Sequence, residues 1–413
     1  MKKITLLLLL ATLALPPLHA KTSGDFPRLL GMNIGKKIYD NPAYQARLAR
    51  LDVVILGFPP DWDASHPADP MTAVVGNLKR LNPLIKVGQY TILNEAYDHR
   101  SFPSDEDIHS EIEKNHWWLR NAKGQQVQWT TKYGTYEVDI GEWAKPNEQG
   151  QRYSEWLAER QNRVYFKDHP EFDIWYCDNV MQRSRVTADW DHDGRDDDPT
   201  DPRIQAVFRS GMARYWTALR TLQPKLILMG NTDGDLSQPE YRRKLDAAFI
   251  EGWMGRSWSI EHRQNWTAAM ALYRTTRSNL PDGAILGVNV QGAANDYQFL
   301  RYAMASCLMD DGYFSYADRA TIYSSVSWFD EFDAPLGRAK TQPPTQPWKQ
   351  GVWRRDFEGG IALVNPTDAP VTVTIEQGFR RLTGKQAPEV NNGKAATEVT
   401  LDKKDGIILV RDR

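Results

Sequence analysis

Eight short apolar runs, each closed by turn residues and followed by a segment with helical spacing, leave few folds open to this chain. They are Leu29 to Asn33, Val53 to Phe58, Ile85 to Thr91, Ile174 to Asp178, Leu226 to Gly230, Ala247 to Glu251, Ala284 to Val290 and Tyr313 to Tyr316. A run that is apolar without alternation is a strand covered on both faces, as in a parallel sheet. The segments between them read as helices: Ile204, Val207, Phe208, Met212, Trp216 and Leu219 share one face between Pro202 and Leu222. Strands alternating with helices build a parallel sheet, and eight such units are expected to close into a (β/α)₈ barrel. The rival, an open doubly wound sheet, usually has fewer strands, and no Gly-rich phosphate loop follows the first run.

The spacing also marks what is added to the barrel. About 80 residues separate the third and fourth runs, far more than one helix needs. The excess, 93–150, carries Trp117, Trp118, Trp129, Tyr133 and Tyr136. Such an insertion is expected at the C-terminal ends of the strands, where these barrels carry their sites. Residues 334–349, with Pro343, Pro344 and Pro347, read as a linker. Beyond it, Val352 to Phe357, Ile361 to Val364, Val371 to Ile375 and Ile407 to Val410 read as strands. The turns between them fall at Gly359-Gly360, Asn365-Pro366 and Asn391-Asn392-Gly393. The expected organisation is therefore a barrel over 21–333 and a small all-β, sandwich-like domain over 350–413.

Residues 1–20 have the layout of a secretory signal peptide. Met1-Lys2-Lys3 precedes the apolar stretch Ile4 to Leu15, and Ala20 offers a small residue for cleavage. The protein is thus expected in the periplasm or outside the cell. The stretch is too short for an ordinary membrane span, and no later one approaches that length. Cys177 and Cys307 fall on distant parts of the expected barrel, which predicts free, buried thiols even in an oxidising compartment.

A net charge of −2 gives no reason to expect nucleic acid or an anionic membrane as partner. The chain has no Gly-x-Ser-x-Gly elbow, no His-Glu-x-x-His and no phosphate-binding loop. It does have 15 Trp and 17 Tyr, and aromatic faces stack on the apolar faces of sugar rings. The strand ends supply the chemistry. The fourth strand closes with Asp178-Asn179 and the sixth with Glu251-Gly252-Trp253. An ionised carboxylate at the rim of an apolar core is costly unless it is paired or used. Two of them across a sugar can cleave a glycosidic bond: one protonates the leaving oxygen, and the other attacks the anomeric carbon or activates a water. No cofactor is expected for that reaction. Sugar contacts are expected from Asn33, Trp62, Tyr90, Asn94, Trp118, Asn179, Asn231, Trp253, Asn289, Tyr316 and Asp318 on the same rim. A non-catalytic carbohydrate-binding barrel of an envelope or exopolysaccharide system would use the same aromatics, but would tolerate loss of either acid.

The segment Asp173-Ile-Trp-Tyr-Cys-Asp178-Asn179 resembles the strand-four nucleophile segment of clan D glycoside hydrolases, the α-galactosidase group. More broadly the chain is similar to bacterial hypothetical glycosyl hydrolase barrels. That similarity rests on His116-Trp-Trp-Leu-Arg-Asn-Ala-Lys-Gly124, Tyr136-Glu-Val-Asp139, Asp178-Asn179, and Trp353 to Phe357 through Ala362 to Pro366. The resemblance implies Asp178 as nucleophile and Glu251 as acid/base of a retaining mechanism. The clan usually has Asp at the second position, so Glu251 is a departure. Such roles require donors that keep Asp178 ionised, such as Asn179, Asn231 or a cation. They also require a raised pKa at Glu251, from burial near Trp253 or from proximity to Asp178.

One acidic stretch lies outside this scheme. Asp189-Trp-Asp191-His-Asp193-Gly194 has the opening spacing of an EF-hand-type calcium loop, with Asp197 near enough to contribute. Closely packed carboxylates repel without a cation, so a structural calcium is expected here. The alternative is a solvated turn that caps the helix starting near Pro202.

Overall fold

The computed structural model describes residues 21–22, 24–98, 103–234 and 236–412. Residues 1–20, read above as a signal peptide, lie outside them. All eight expected strands are present: β1 (Leu30–Asn33), β2 (Val53–Leu56), β3 (Lys86–Ile92), β4 (Ile174–Val180), β5 (Ile227–Thr232), β6 (Ala247–Met254), β7 (Leu286–Gly292) and β8 (Tyr313–Asp318). They form one sheet in sequence order, each parallel to the next. The sheet closes on itself. Leu29, just before β1, pairs in parallel with Phe314 of β8, whose N–H donates to the Arg28 carbonyl at 2.8 Å. This is a (β/α)₈ barrel.

Side chains alternate across each strand. Leu30, Met32, Val53, Ile55, Ile174, Tyr176, Met229 and Phe249 fill the barrel interior. The residues between them, including Val54, Leu56, Trp175, Leu228 and Ile250, pack outward under the helices. Cys177 is on that outer face and Cys307 ends the helix Tyr297–Cys307; both are free and buried. The helix Pro202–Leu222 has the bounds its periodicity predicts. It begins where Asp201 accepts the Arg203 N–H at 2.8 Å and Pro202 occupies the first turn. The insertion after β3 contains an antiparallel pair, Glu95–Tyr97 with Thr135–Glu137, and the helix Glu106–Asn115. Among the described residues no helix is long and apolar enough to cross a membrane.

The C-terminal segment is all β. Strands β9 (Trp353–Asp356), β10 (Gly360–Asn365), β11 (Val371–Thr374), β12 (Phe379–Arg381), β13 (Glu398–Leu401) and β14 (Asp405–Arg411) form two sheets. The larger runs β9-β10-β14-β12 and the smaller pairs β11 with β13. Val352, Ile361, Leu363, Val373, Phe379, Val399 and Leu409 form a core of their own. The other face of the larger sheet, with Phe357, Ala362, Val364 and Ile408, joins the outer barrel core. Phe357 lies 5.1 Å from Phe26, and Trp353 lies 5.0 Å from Trp266, ring centre to ring centre. β14 lies so close to the helix Tyr297–Cys307 that a Cβ on Gly406 would come within 2.6 Å of Ala305. At that junction Arg301 makes a two-pronged ion pair with Asp405, at 3.1 and 3.2 Å, with both side chains buried. In the proline-rich segment before β9, Leu336 is buried and Gly337 pairs with Phe26.

Candidate active site

The alternation that fills the barrel also builds its rim. Continuing the inward series upward brings Tyr90 from β3, Asp178 from β4, Asn231 from β5, Glu251 from β6 and Asn289 and Gln291 from β7 to the C-terminal end. Both carboxylates stand where the strand register breaks. The β4–β5 ladder shifts between Cys177 and Val180, and the β6–β7 ladder between Ile250 and Met254. In each case the residue after the carboxylate is left-handed, Asn179 with φ 54° and Gly252 with φ 58°. Such bulges re-aim a side chain and are common beside active sites.

Asn231 joins the two acids. Its Nδ2 donates to Asp178 Oδ1 at 2.7 Å and to Glu251 Oε2 at 3.0 Å. Both oxygens are held by one nitrogen, so they stand no more than about 5.7 Å apart. Each acid has a second donor. Tyr90 donates its hydroxyl to Asp178 Oδ2 at 2.6 Å, and Tyr323 donates to Glu251 Oε1 at 2.6 Å. Burial, then the Asp178 charge, pushes the Glu251 carboxyl above its ordinary value, against the pull of the Tyr323 and Asn231 donors. Burial and the Asp178 charge likewise push Tyr90 well up, so it remains a donor. Tyr323 itself is a left-handed residue, φ 58°, in the loop after β8. Its carbonyl accepts the Gly35 N–H at 2.9 Å, which fastens that loop to the first βα turn. The pair thus combines two acids, each held by one amide and one hydroxyl donor, of which Glu251 is pushed by burial and the neighbouring charge to hold its proton above the ordinary value.

The sequence-predicted residues divide into three groups. Tyr90, Asn231, Asp178 and Glu251 meet directly. Asn289, Asn33, Asp318, Asn94 and Asn179 are behind or beside them. Asn289 donates to Ser315 Oγ at 3.2 Å, and Asn33 donates to the Ser325 carbonyl at 3.1 Å. Asp318 accepts the Ala320 N–H at 3.0 Å, which shapes the turn leading to Tyr323. Asn94 donates to Glu137 at 2.9 Å within the insertion. Asn179 does not serve Asp178 as expected: its left-handed backbone turns the amide to Glu95, at 2.8 Å. The remaining aromatics are corrections. Trp62, Trp118 and Trp253 are buried, with their indole N–H bonded to Asp69, Glu113 and Ala269 respectively. Tyr316 donates to the Ala293 carbonyl and packs on Phe329. None of these four rings is bonded to the carboxylates. Tyr323 and Gln291 were not foreseen as site residues. Gln291 closes β7 and donates to the Tyr323 hydroxyl at 3.3 Å, a place its strand-end position does point to. Tyr323 lies in an irregular loop that carries no such signal.

In the acidic loop, Asp189, Asp191 and Asp197 converge, with one oxygen of each within 4.8 Å of the others. Asp193 is not among them; it accepts the Arg195 N–H at 2.9 Å. A cation is already at hand, because Arg203 pairs with Asp191 at 2.6 Å and with Asp197 at 2.7 Å.

The profile of hypothetical glycosyl hydrolase family 15 matches residues 79–361, which contain both carboxylates and the strands from β3 to β9. A search among curated proteins returns no match. Among solved structures, Amy13B of Eubacterium rectale superposes with a TM-score of 0.51 at 8% identity, over 94% of this chain and 95% of that one. An α-galactosidase of family 36 from Geobacillus stearothermophilus gives 0.47 at 10% identity, over 94% of this chain; the chain spans 56% of that enzyme's length. The glycoside hydrolase domain of PelA from Pseudomonas aeruginosa gives 0.45 at 15% identity, over 73% of this chain and 98% of that one. A family match across two thirds of its length places the chain: it belongs to hypothetical glycosyl hydrolase family 15.

Proposed function

We propose that the protein is an exported enzyme that hydrolyses a glycosidic bond of a poly- or oligosaccharide with retention of configuration. The observation that carries this is the single Asn231 amide shared by Asp178 and Glu251. That shared nitrogen keeps the facing oxygens close, which favours the roughly 5–5.5 Å spacing of retaining pairs over the roughly 6.5–9.5 Å that inverting enzymes need for a water.

Asp178 attacks the anomeric carbon while Glu251 gives its proton to the departing oxygen, which leaves a glycosyl ester on Asp178. Glu251, now ionised, takes a proton from water, and the resulting hydroxide displaces Asp178. Tyr90 and Asn231 orient the Asp178 carboxylate for attack and donate to it again as it leaves. The Tyr323 donor makes the ionised Glu251 of the second step affordable despite its burial. The cationic start and apolar stretch of residues 1–15 support export. The acidic loop supports a structural calcium that takes Arg203's place beside Asp191 and Asp197, with Asp189 as a third ligand.

The test is hydrolysis by the wild type beside Asp178→Asn and Glu251→Gln. The substrates are soluble galactans, glucans and hexosamine polymers, with the glycosyl fluorides of the same sugars. Loss of several orders of magnitude in both variants, with folding intact and the first product formed in the substrate's anomeric configuration, is expected. Activity that survives both changes refutes the assignment. Binding of a glycan by all three proteins without turnover would favour a carbohydrate-binding barrel.

A further inference from the structure

Large apolar side chains left in water are informative when they gather at a site. Among the described residues, those most exposed are Leu81, Leu84, Tyr97, Trp129, Tyr133 and Trp258. The two leucines lie just before β3, at the opposite end of the barrel from the carboxylates. All four aromatics belong to the segments that leave the C-terminal ends of β3 and β6.

Two of them are tied to the catalytic pair in parallel ways. Each carboxylate is followed by a left-handed residue, and each such residue leads to an exposed tryptophan. On the Glu251 side the link is direct. The benzo edge of Trp258 lies against Gly252, where a Cβ would come within 2.0 Å of the ring. Only glycine fits there, for the ring and for the backbone angle alike. Trp258 is nevertheless 44% exposed and has no other ring against it among the described residues. On the Asp178 side the link runs through Glu95. Asn179 donates to Glu95 Oε1 at 2.8 Å, and the Trp129 indole N–H donates to Glu95 Oε2 at 3.1 Å. Trp129 is 37% exposed, with the Arg185 guanidinium 3.9 Å from its ring centre and Tyr133 beside it at 5.8 Å.

We infer that Trp258 and Trp129 are platforms for sugar rings on the two sides of the bond that is cut, and that the substrate is a chain cleaved internally. The inference rests on the hydrolase reading above. Glu251 protonates the leaving oxygen, so Trp258 receives the first sugar of the leaving group. Asp178 attacks the glycone, so Trp129 and Tyr133 support sugars farther along that part of the chain. A site that trimmed residues from one end would need a wall on one side of the pair. Here each side of the pair is tied to a partly exposed tryptophan.

The experiment uses the full-length mature protein on whichever polymer of the panel it hydrolyses, beside the glycosyl fluoride of the sugar at the cut. Fluoride has no leaving-group ring for Trp258 to hold. The mean chain length of the polymer is expected to collapse well before reducing sugar accumulates. Trp258→Ala is expected to lower the quotient of kcat/KM on polymer over kcat/KM on fluoride by about tenfold or more, and Trp258→Phe to restore most of it. Release of short products from one end only, or a quotient unchanged in Trp258→Ala, overturns the inference while leaving the carboxylate pair standing. A wild type inactive on both polymer and fluoride removes the hydrolase reading itself, and the inference with it.

Discussion

Replacing Tyr323 by Phe removes one O–H from the site and little else, which makes its consequence calculable. The hydroxyl donates to Glu251 Oε1 at 2.6 Å. A hydrogen bond to a charged acceptor contributes about 1.5–3 kcal/mol, and one to the neutral acid about 0.5–1.5 kcal/mol. Tyr323 therefore favours the ionised form of Glu251 by about 1 kcal/mol, which opposes the burial and the Asp178 charge that push the pKa up. At roughly 1.4 kcal/mol per unit, the variant's Glu251 should rise by somewhat under about one further unit. Glu251 must be protonated in the free enzyme, so its ionisation sets the alkaline limb of kcat/KM. That limb should move to higher pH in Tyr323→Phe, with the acid limb nearly in place. The assay is kcat/KM across pH 5 to 9 on a substrate that requires protonation of its leaving group. An alkaline limb that stays put, or moves to lower pH, would refute either the donor role of Tyr323 or the acid role of Glu251.

Other perturbations read other parts of the molecule. Burial pushes Glu137 up to about 7, and it faces Glu95 across the insertion's strand pair. The folded state therefore holds this proton more tightly than the unfolded chain. Wild-type stability should fall by up to about 3 kcal/mol as pH rises from the ordinary carboxylate value to 7, and then level off. Denaturant melts of Glu137→Gln should lack that decline; an identical pH dependence in both proteins would rule out Glu137 as its source. Asp405→Ala leaves Arg301 charged and buried, so it should cost about 3–5 kcal/mol in urea unfolding, while a change under about 1 kcal/mol would mean the pair is solvated. In the acidic loop, Arg203→Ala should tighten calcium binding measured by calorimetry on chelator-treated protein, because the guanidinium competes for Asp191 and Asp197. No heat from wild type or variant at millimolar calcium would exclude a metal there.

The barrel was legible because a strand covered on both faces cannot alternate, and eight unbroken apolar runs followed by helical spacing have few other uses. The carboxylate pair was legible for the same reason, since Asp178 and Glu251 are the acids that directly close such runs. What escaped was decided by how irregular segments fold. Trp62, Trp118 and Trp253 look like rim aromatics in sequence, but segments within about twenty residues of each fold over them and take their indole N–H groups. Trp258 and Tyr323 lie in irregular loops, and their places depend on Gly252 leaving room for a ring and on a left-handed turn at Tyr323. The short strands β12 and β13 were missed because Arg380, Arg381 and Glu398 dilute any apolar pattern. Of the four aspartates read as a calcium loop, Asp189, Asp191 and Asp197 converge while Asp193 turns to its own loop, and Arg203 comes to the cluster through a helix start that the spacing does not contain.

The contact of β14 with the helix Tyr297–Cys307 bears on the order in which the molecule can be assembled. Residues 405–411 cover a helix that precedes the last barrel strand, and Phe357, Ala362 and Ile408 share one core with the barrel. As the chain emerges from its N-terminus, β8 can pair with β1 before the outer surface of its preceding helix has any cover. Until β14 arrives, Arg301 has no Asp405 and an apolar strip faces water. The C-terminal sheets therefore behave less like a detachable appendage than like a latch, and a protein cut between barrel and sheets should expose a sticky, unfinished face rather than a free catalytic unit.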